Sequence, residues 1–183
     1  NLEAVRKAIE ILHTPEGLNL SSRRVTVSTV GLVPEMYRIA QEGWKVKLAL
    51  SLHATSDVKR AELMPLGRAY ALDQIKDAAR YYYRRNGRRI SLEYLMIQGV
   101  NDSPKDADRL AKFCEGLECH VNLIPYNSIP HAPFRPSPTE RIQDFKARLL
   151  RHRIDATVRY SRGRSIDAAC GQLRLRHEQA RAG

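Results

Sequence analysis

The chain reads as an α/β protein built on a parallel sheet. Strand-like and helix-like segments alternate along most of its 183 residues, an order that builds right-handed strand–helix–strand crossovers. Val46 to Leu52 is nearly apolar throughout after Lys47, as expected of a strand buried on both faces. Proline and glycine punctuate the helices: Pro34 opens one and Gly43 closes it, Gly87 ends another, and Ser103-Pro104 starts a third.

Leu2, Val5, Ile9 and Leu12 recur at helical spacing, so residues 2–13 are expected to form an amphipathic helix. A loop with Pro15 and Gly17 leads to a β-branched strand at Val25 to Ser28. The Pro34 helix and the Val46–Leu52 strand follow, then a short polar helical turn over 57–63. Leu72, Ile75, Ala79 and Tyr82 mark a longer helix. Ile90 to Ile97 is the third strand, and Ala107, Leu110, Ala111 and Cys114 line the next helix. His120 to Pro125 is the fourth strand. A stiff proline-rich loop, Pro125 to Pro138, reads as a shaped wall. Ser137-Pro138-Thr139-Glu140 reads as a capping box with proline at the first helical position. Ile142, Phe145 and Leu149 form that helix's apolar stripe, and Ala156 to Tyr160 is the fifth strand.

Thirty-one Lys and Arg against 20 Asp and Glu leave a net charge of +11. That balance attracts polyanions, of which phosphate backbones are the commonest. No apolar run approaches a membrane span. No glycine-rich phosphate loop is present, which argues against an ordinary nucleotide-binding α/β enzyme. The cysteines, Cys114, Cys119 and Cys170, are odd in number and lack metal-pair spacing, so a reducing compartment and no metal site are expected. Cys114 and Cys119 read as structural. The first residue is Asn1 and the chain begins within a helix, so the sequence is expected to be a piece of a longer protein.

In folds of this class, active groups collect at the carboxyl ends of strands. Those ends present Ser28 and Thr29, Ser51 and His53, Gln98 and Asn127, with Cys170 beyond the last strand. Each has a plainer reading: Ser28 as a turn residue, His53 as a satisfied core histidine, Asn127 as a cap, Cys170 as a small buried hydrophobe. Together they point to a ligand site. Ala168, Ala169 and Gly171 leave the Cys170 sulfur sterically open, and Arg159, Arg162 and Arg164 favour its thiolate.

Four segments carry a resemblance: Arg24-Val25-Thr26-Val27-Ser28-Thr29, Leu50-Ser51-Leu52-His53-Ala54, Asn122-Leu123-Ile124-Pro125-Tyr126-Asn127, and Ile166 to Leu173 after Arg162-Gly163. In that order and spacing the chain resembles the carboxyl-terminal half of RlmN-type radical S-adenosylmethionine (AdoMet) enzymes. These methylate C2 of an adenine in 23S rRNA and, in many members, in tRNA. The resemblance implies a partial (β/α) TIM-like barrel lacking its amino-terminal strands, with residues 1–183 as the later part of the core domain. An accessory domain and the cluster-binding strands would lie upstream.

By that resemblance Ser28, Ser51, Leu52, His53 and Asn127 are AdoMet contacts, and Cys170 is the cysteine that becomes S-methylated. Adenine C2 is electron-poor and cannot take a methyl cation directly, so the family loads the methyl on a thiolate first. A second AdoMet, cleaved at a [4Fe-4S] cluster, then supplies the radical that activates it. The implied partners are 23S rRNA, tRNA and an electron donor such as flavodoxin or ferredoxin, in the cytoplasm. The cluster motif CxxxCxxC, the resolving cysteine and an acid–base carboxylate are not in this sequence and are expected upstream, which would leave this piece inactive alone. Ser165 stands where the family usually has an acidic residue. Two rivals remain open: a Cfr-like enzyme methylating C8 of the same adenine, and a non-catalytic RNA-binding module.

Overall fold

The computed structural model describes residues 1–128 and 132–160. Five parallel strands form one sheet in the order of the sequence: β1 (Thr26–Thr29), β2 (Lys47–Ser51), β3 (Ile90–Met96), β4 (Cys119–Pro125) and β5 (Ala156–Val158). Every neighbouring pair is parallel. Six helices accompany them: α1 (Leu2–His13), α2 (Val33–Gln41), α3 (Asp57–Leu63), α4 (Leu72–Asn86), α5 (Pro104–Cys114) and α6 (Thr139–Arg151).

The helices cover one face. β3 and β4 alternate strictly between buried and half-buried residues. Ile90, Leu92, Tyr94 and Met96 of β3 and Val121 and Leu123 of β4 join a core with Met36, Ile75, Tyr82, Leu110, Phe145 and Leu149 from the helices. The opposite, open face carries Ser91, Glu93 and Leu95 beside His120, Asn122 and Ile124. Strands in sequential order with helices on one side form the wall of a barrel, whereas a doubly wound sheet reverses its order and takes helices on both faces. The sheet does not close among the described residues.

Polar side chains on the open face are bonded to one another. Asn122 donates to Glu93 Oε1 (2.9 Å), Thr157 donates to Asn122 Oδ1 (3.0 Å), and His120 Nε2 meets Thr157 Oγ1 at 2.9 Å. His120 Nδ1 lies 3.1 Å from Asp155, which also pairs with Arg89.

The sequence-derived elements all form, with differences at their ends. β5 stops at Val158, where its ladder with β4 ends. The capping box expected at Ser137 does not form. α6 starts at Thr139 behind Pro138, without a side-chain cap, and the buried Ser137 hydroxyl donates to Asp102 Oδ2 instead (2.9 Å). A carboxylate 2% exposed must find donors, and that demand outweighs a helix cap. The reciprocal box forms on α5, between Ser103 and Asp106. Helix α3, read as merely polar, buries Arg60 to 1% exposure; its guanidinium reaches across to donate to the Val30 carbonyl after β1.

Gly31 sits where that arginine arrives. Its φ is 86°, and a Cβ there would lie 3.1 Å from Ile75 Cδ1 and 3.3 Å from Arg60 Nη2. Gly31→Ala is expected to cost about 1–3 kcal/mol in urea unfolding. Gly43→Ala, at φ 68° with nothing within 4 Å, should cost only about 1 kcal/mol. Equal losses would mean that the crowding around Gly31 is unimportant.

Candidate functional site

The carboxyl ends of β1, β2 and β3 converge on one edge. Ser28 is exposed on the open face of β1, level with Ala49. Ser51 ends β2 on the same face, level with Glu93. The two hydroxyls therefore stand on adjacent strands, a strand spacing of about 4.8 Å apart laterally and one pleat apart along the chain. Leu52 points the other way, fully buried in the core, so only its backbone faces the edge. Its amide is taken by the Glu93 carbonyl (3.0 Å) and its carbonyl accepts from Ala54 (2.7 Å).

His53 turns the chain back with φ 59°, a left-handed conformation unusual for a residue with a side chain. Three contacts hold it. Its amide shares the Glu93 carbonyl (3.3 Å), its Nδ1 accepts from the Leu95 amide (3.2 Å), and its carbonyl accepts from Asn101 Nδ2 (2.7 Å). Asn101 is fully buried. It also donates to the Leu95 carbonyl (2.5 Å) and accepts from the Ile97 amide (2.8 Å). One carboxamide thus ties the end of β2 to the end of β3.

An Nδ1 that accepts leaves the proton of the neutral ring on Nε2. Burial, with the Arg60 charge adding to it, lowers the His53 pKa to about 4. At neutral pH the ring is uncharged. It can donate from Nε2 and does not repel a cation.

Asn127 follows β4 and lines a cavity of about 450 Å³ with Tyr126, Ser128, Thr139, Ile142 and Tyr160. The Tyr126 hydroxyl is buried without a hydrogen-bond partner among the described residues. Phe134, from the proline-rich loop, sets its ring edge-on to Tyr126 at 6.1 Å. That loop is pinned as a wall: Gln98 donates its amide to the Arg135 carbonyl (2.9 Å), and Ile97 bridges Pro136. The exposed Gln98 side chain borders this junction. Cys170 lies outside the described residues.

Cys114 and Cys119 are buried where α5 ends and β4 begins, at the opposite edge of the sheet. Their mutual hydrogen bond and burial push the Cys114 thiol up. Two thiols, one of them held protonated by the other, are too few for the cysteine thiolates that hold an iron–sulfur cluster. No group of three metal-ligating side chains occurs among the described residues. The polar carboxyl edge does fit a small polar ligand such as AdoMet. Arg60, Asn101 and the orphan Tyr126 hydroxyl escape sequence reasoning. Asn101-Asp102 signals only a turn, and nothing in the spacing around Arg60 marks it as buried.

Comparison with known proteins bears out the resemblance read from the sequence. The chain is 42% identical over 179 residues to the probable dual-specificity RNA methyltransferase RlmN of Geobacillus kaustophilus, covering 98% of this chain and 49% of that protein. It is 47% identical over 185 residues to the protein of the same name in Symbiobacterium thermophilum, covering 100% of this chain and 50% of that one. The crystal structure of a radical SAM methyltransferase from Sphaerobacter thermophilus matches with a TM-score of 0.90 and 51% identity, over 93% of this chain and 50% of that one. A domain of pyruvate-formate lyase-activating enzyme from Bacteroides vulgatus shares the fold at a TM-score of 0.52 and 18% identity, over 74% of this chain and 99% of that one. No family model matches the chain. The chain spans about half the length of the curated relatives it matches. The radical SAM α/β fold expected from the sequence is thereby established.

Two predictions follow the geometry. Because the folded His53 pKa is depressed, the unfolded chain binds the proton first as pH falls. The histidine's contribution is therefore complete above about pH 6.5 and lost towards about pH 4, amounting to at most about 3 kcal/mol. His53→Gln should flatten the stability-versus-pH curve across that window; an unchanged slope would contradict a neutral, half-buried ring. Asn101→Ala strands three backbone groups, the Ile97 amide buried and the His53 and Leu95 carbonyls part-buried, and should cost about 3 kcal/mol by chemical denaturation.

Proposed function

We propose that this chain supplies part of the AdoMet pocket and the methyl-carrying thiol of a radical AdoMet methyltransferase that modifies C2 of adenine in 23S rRNA and tRNA. It would form the carboxyl-terminal portion of that enzyme's core domain. One observation carries the reading. Ser28, Ser51 and His53, chosen from the sequence, stand on adjoining strands at the carboxyl edge of a sheet whose counterpart is a radical SAM methyltransferase.

The described residues bind and orient. The Ser28 and Ser51 hydroxyls and the Asn127 carboxamide both donate and accept, and so suit the amino, carboxylate and ribose groups of AdoMet. His53 presents Nε2–H without charge, so a sulfonium can sit nearby without repulsion. Leu52 contributes backbone shape and keeps the edge anchored in the core. The Tyr126 hydroxyl offers a buried polar group at the cavity wall.

Cys170 takes the methyl. As a thiolate it displaces the methyl from the sulfonium: a carbon–sulfur bond forms at Cys170, the sulfonium's bond breaks, and a neutral thioether leaves. Cluster ligands, resolving cysteine and acid–base carboxylate belong to the half of the relatives that this chain does not span. The electron donor would be a flavodoxin or ferredoxin, and the compartment the cytoplasm.

Cys170→Ala, made in the whole protein, is expected to abolish methylated adenine, measured by nucleoside mass spectrometry, while RNA affinity stays within about twofold. The modified base should carry its methyl at C2. Methylation that survives the substitution, or a methyl at C8, would refute the reading. Incubated alone with iron, sulfide and reductant, the 183-residue chain should not cleave AdoMet.

A further inference from the structure

The edge opposite the site carries an excess of unspent positive charge. Because all five strands run the same way, their amino ends and the carboxyl ends of the helices share one edge. Arg23 and Arg24 precede β1, Lys45 and Lys47 stand at the start of β2, Arg84 and Arg85 close α4, Arg151 ends α6 and Arg153 lies between α6 and β5. All eight are exposed. Among the described residues none has a carboxylate partner.

Local contacts knit them into one surface. Thr26 pairs with Lys47, and the Lys47 amide donates to the Val25 carbonyl (2.9 Å), so Arg24 directly precedes a residue bonded to the start of β2. Arg88, just after Arg84 and Arg85, donates to Ser22 Oγ (3.1 Å), next to Arg23. Arg89 reaches the Cys119 carbonyl (2.7 Å) and Asp155 (3.3 Å), two residues after Arg153. Five strands at about 4.8 Å give the edge a breadth of about 19 Å. The carboxylates nearby are mostly committed: Glu42 to Arg38 and Trp44, Asp155 to Arg89 and His120. Glu115 and Glu118, on the α5–β4 turn, border the edge.

Helix dipoles account for only part of this charge, since Arg84, Arg85 and Arg151 lie in last helical turns and the other five cations do not. A cation in a last helical turn offsets the negative helix end, and Arg38 and Arg148 already do so on α2 and α6 while holding acids of their own. Arg23, Arg24, Lys45 and Lys47 are at no α-helix end.

We propose that this amino-terminal edge is a second RNA contact, gripping backbone phosphates distant from the adenine presented to the carboxyl edge. The inference rests on the reading of RNA as substrate. A large folded RNA can touch both edges, and phosphate contacts fix its register without reading its bases.

The test compares two triple variants of the 183-residue chain, each reducing the net charge from +11 to +8 (11 − 3). One is Lys45→Gln/Arg84→Gln/Arg85→Gln, on the edge. The other is Lys7→Gln/Arg68→Gln/Lys105→Gln, exposed elsewhere. Binding of a fluorescein-labelled RNA hairpin is titrated across salt concentrations, and thermal melts verify folding. Each lost phosphate contact removes roughly 0.7–0.9 from the slope of log K against log salt. The edge variant should therefore lose about 2 to 3 of slope and at least about tenfold in affinity at low salt, with the control within about twofold of wild type. Equal losses in both variants, or no loss in either, would overturn the edge and leave the substrate reading intact. A wild-type chain with no salt-dependent RNA binding would overturn both. Tighter binding to phosphatidylserine vesicles than to the hairpin, lost with the same three residues, would replace RNA with an anionic membrane.

Discussion

The carboxamide of Asn101 is the constraint on which the site depends. Parallel strands are joined by ladders, but a ladder stops where the strands stop, and the chemistry sits just beyond. Past Ser51 and Met96 the backbone needs another source of hydrogen bonds. Asn101 supplies three at once, to the His53 and Leu95 carbonyls and the Ile97 amide. No hydroxyl could do this, and a carboxylate could accept but not donate. Around it the loop before α5 is fastened by further buried polar pairs. Asp102 takes the Gly99 amide and the Ser137 hydroxyl, and Lys59 spans to Asp106 and the Val100 carbonyl. Each of those groups would be costly to leave unmade inside the protein. A polar loop that satisfies itself this completely is a rigid platform for the residues it carries.

The parallel arrangement also separates the two edges chemically. Helix amino ends gather with strand carboxyl ends, so the site edge receives unbonded N–H groups and the positive ends of dipoles. Carboxylates answer them there: Glu35, Asp57, Asp73, Asp106 and Glu140 all lie in first helical turns. The other edge receives the negative ends and is answered with arginine. The two edges of one sheet thus carry different charge, while the chain as a whole has a net charge of +11.

Much of this was legible in the sequence, for identifiable reasons. Elements were readable because their signals are local: helical spacing in α1, the apolar run of β2, proline and glycine at helix ends. The placement of Ser28, Ser51 and His53 at one edge was readable because parallel topology turns position at a strand's end into position in space. What escaped were pairings between residues far apart in the chain. Ser137 has every local mark of a helix cap, yet its partner is Asp102, thirty-five residues earlier. Arg60 sits in a polar stretch, yet it is buried because Val30 offers a carbonyl to it from another loop. Leu52 shows the converse: the motif was recognised, but which way its side chain turns is decided by the pleat, and it turns into the core.

His53 shows how such a site holds together. A left-handed residue with a side chain is strained by about 1–2 kcal/mol, and a buried histidine gives up its charge. The ring does more than fill space, for neither a glycine nor a leucine could accept the Leu95 amide as its Nδ1 does. The backbone amide of Leu95 supports the ring from one side, and Asn101 fixes the carbonyl from the other. Both contacts orient the imidazole; among the described residues they leave Nε2 as its unbonded polar atom. On the function proposed above, a turn this constrained, with its ring kept neutral at the edge that also carries Ser28 and Ser51, would hold a cationic sulfur without repelling it.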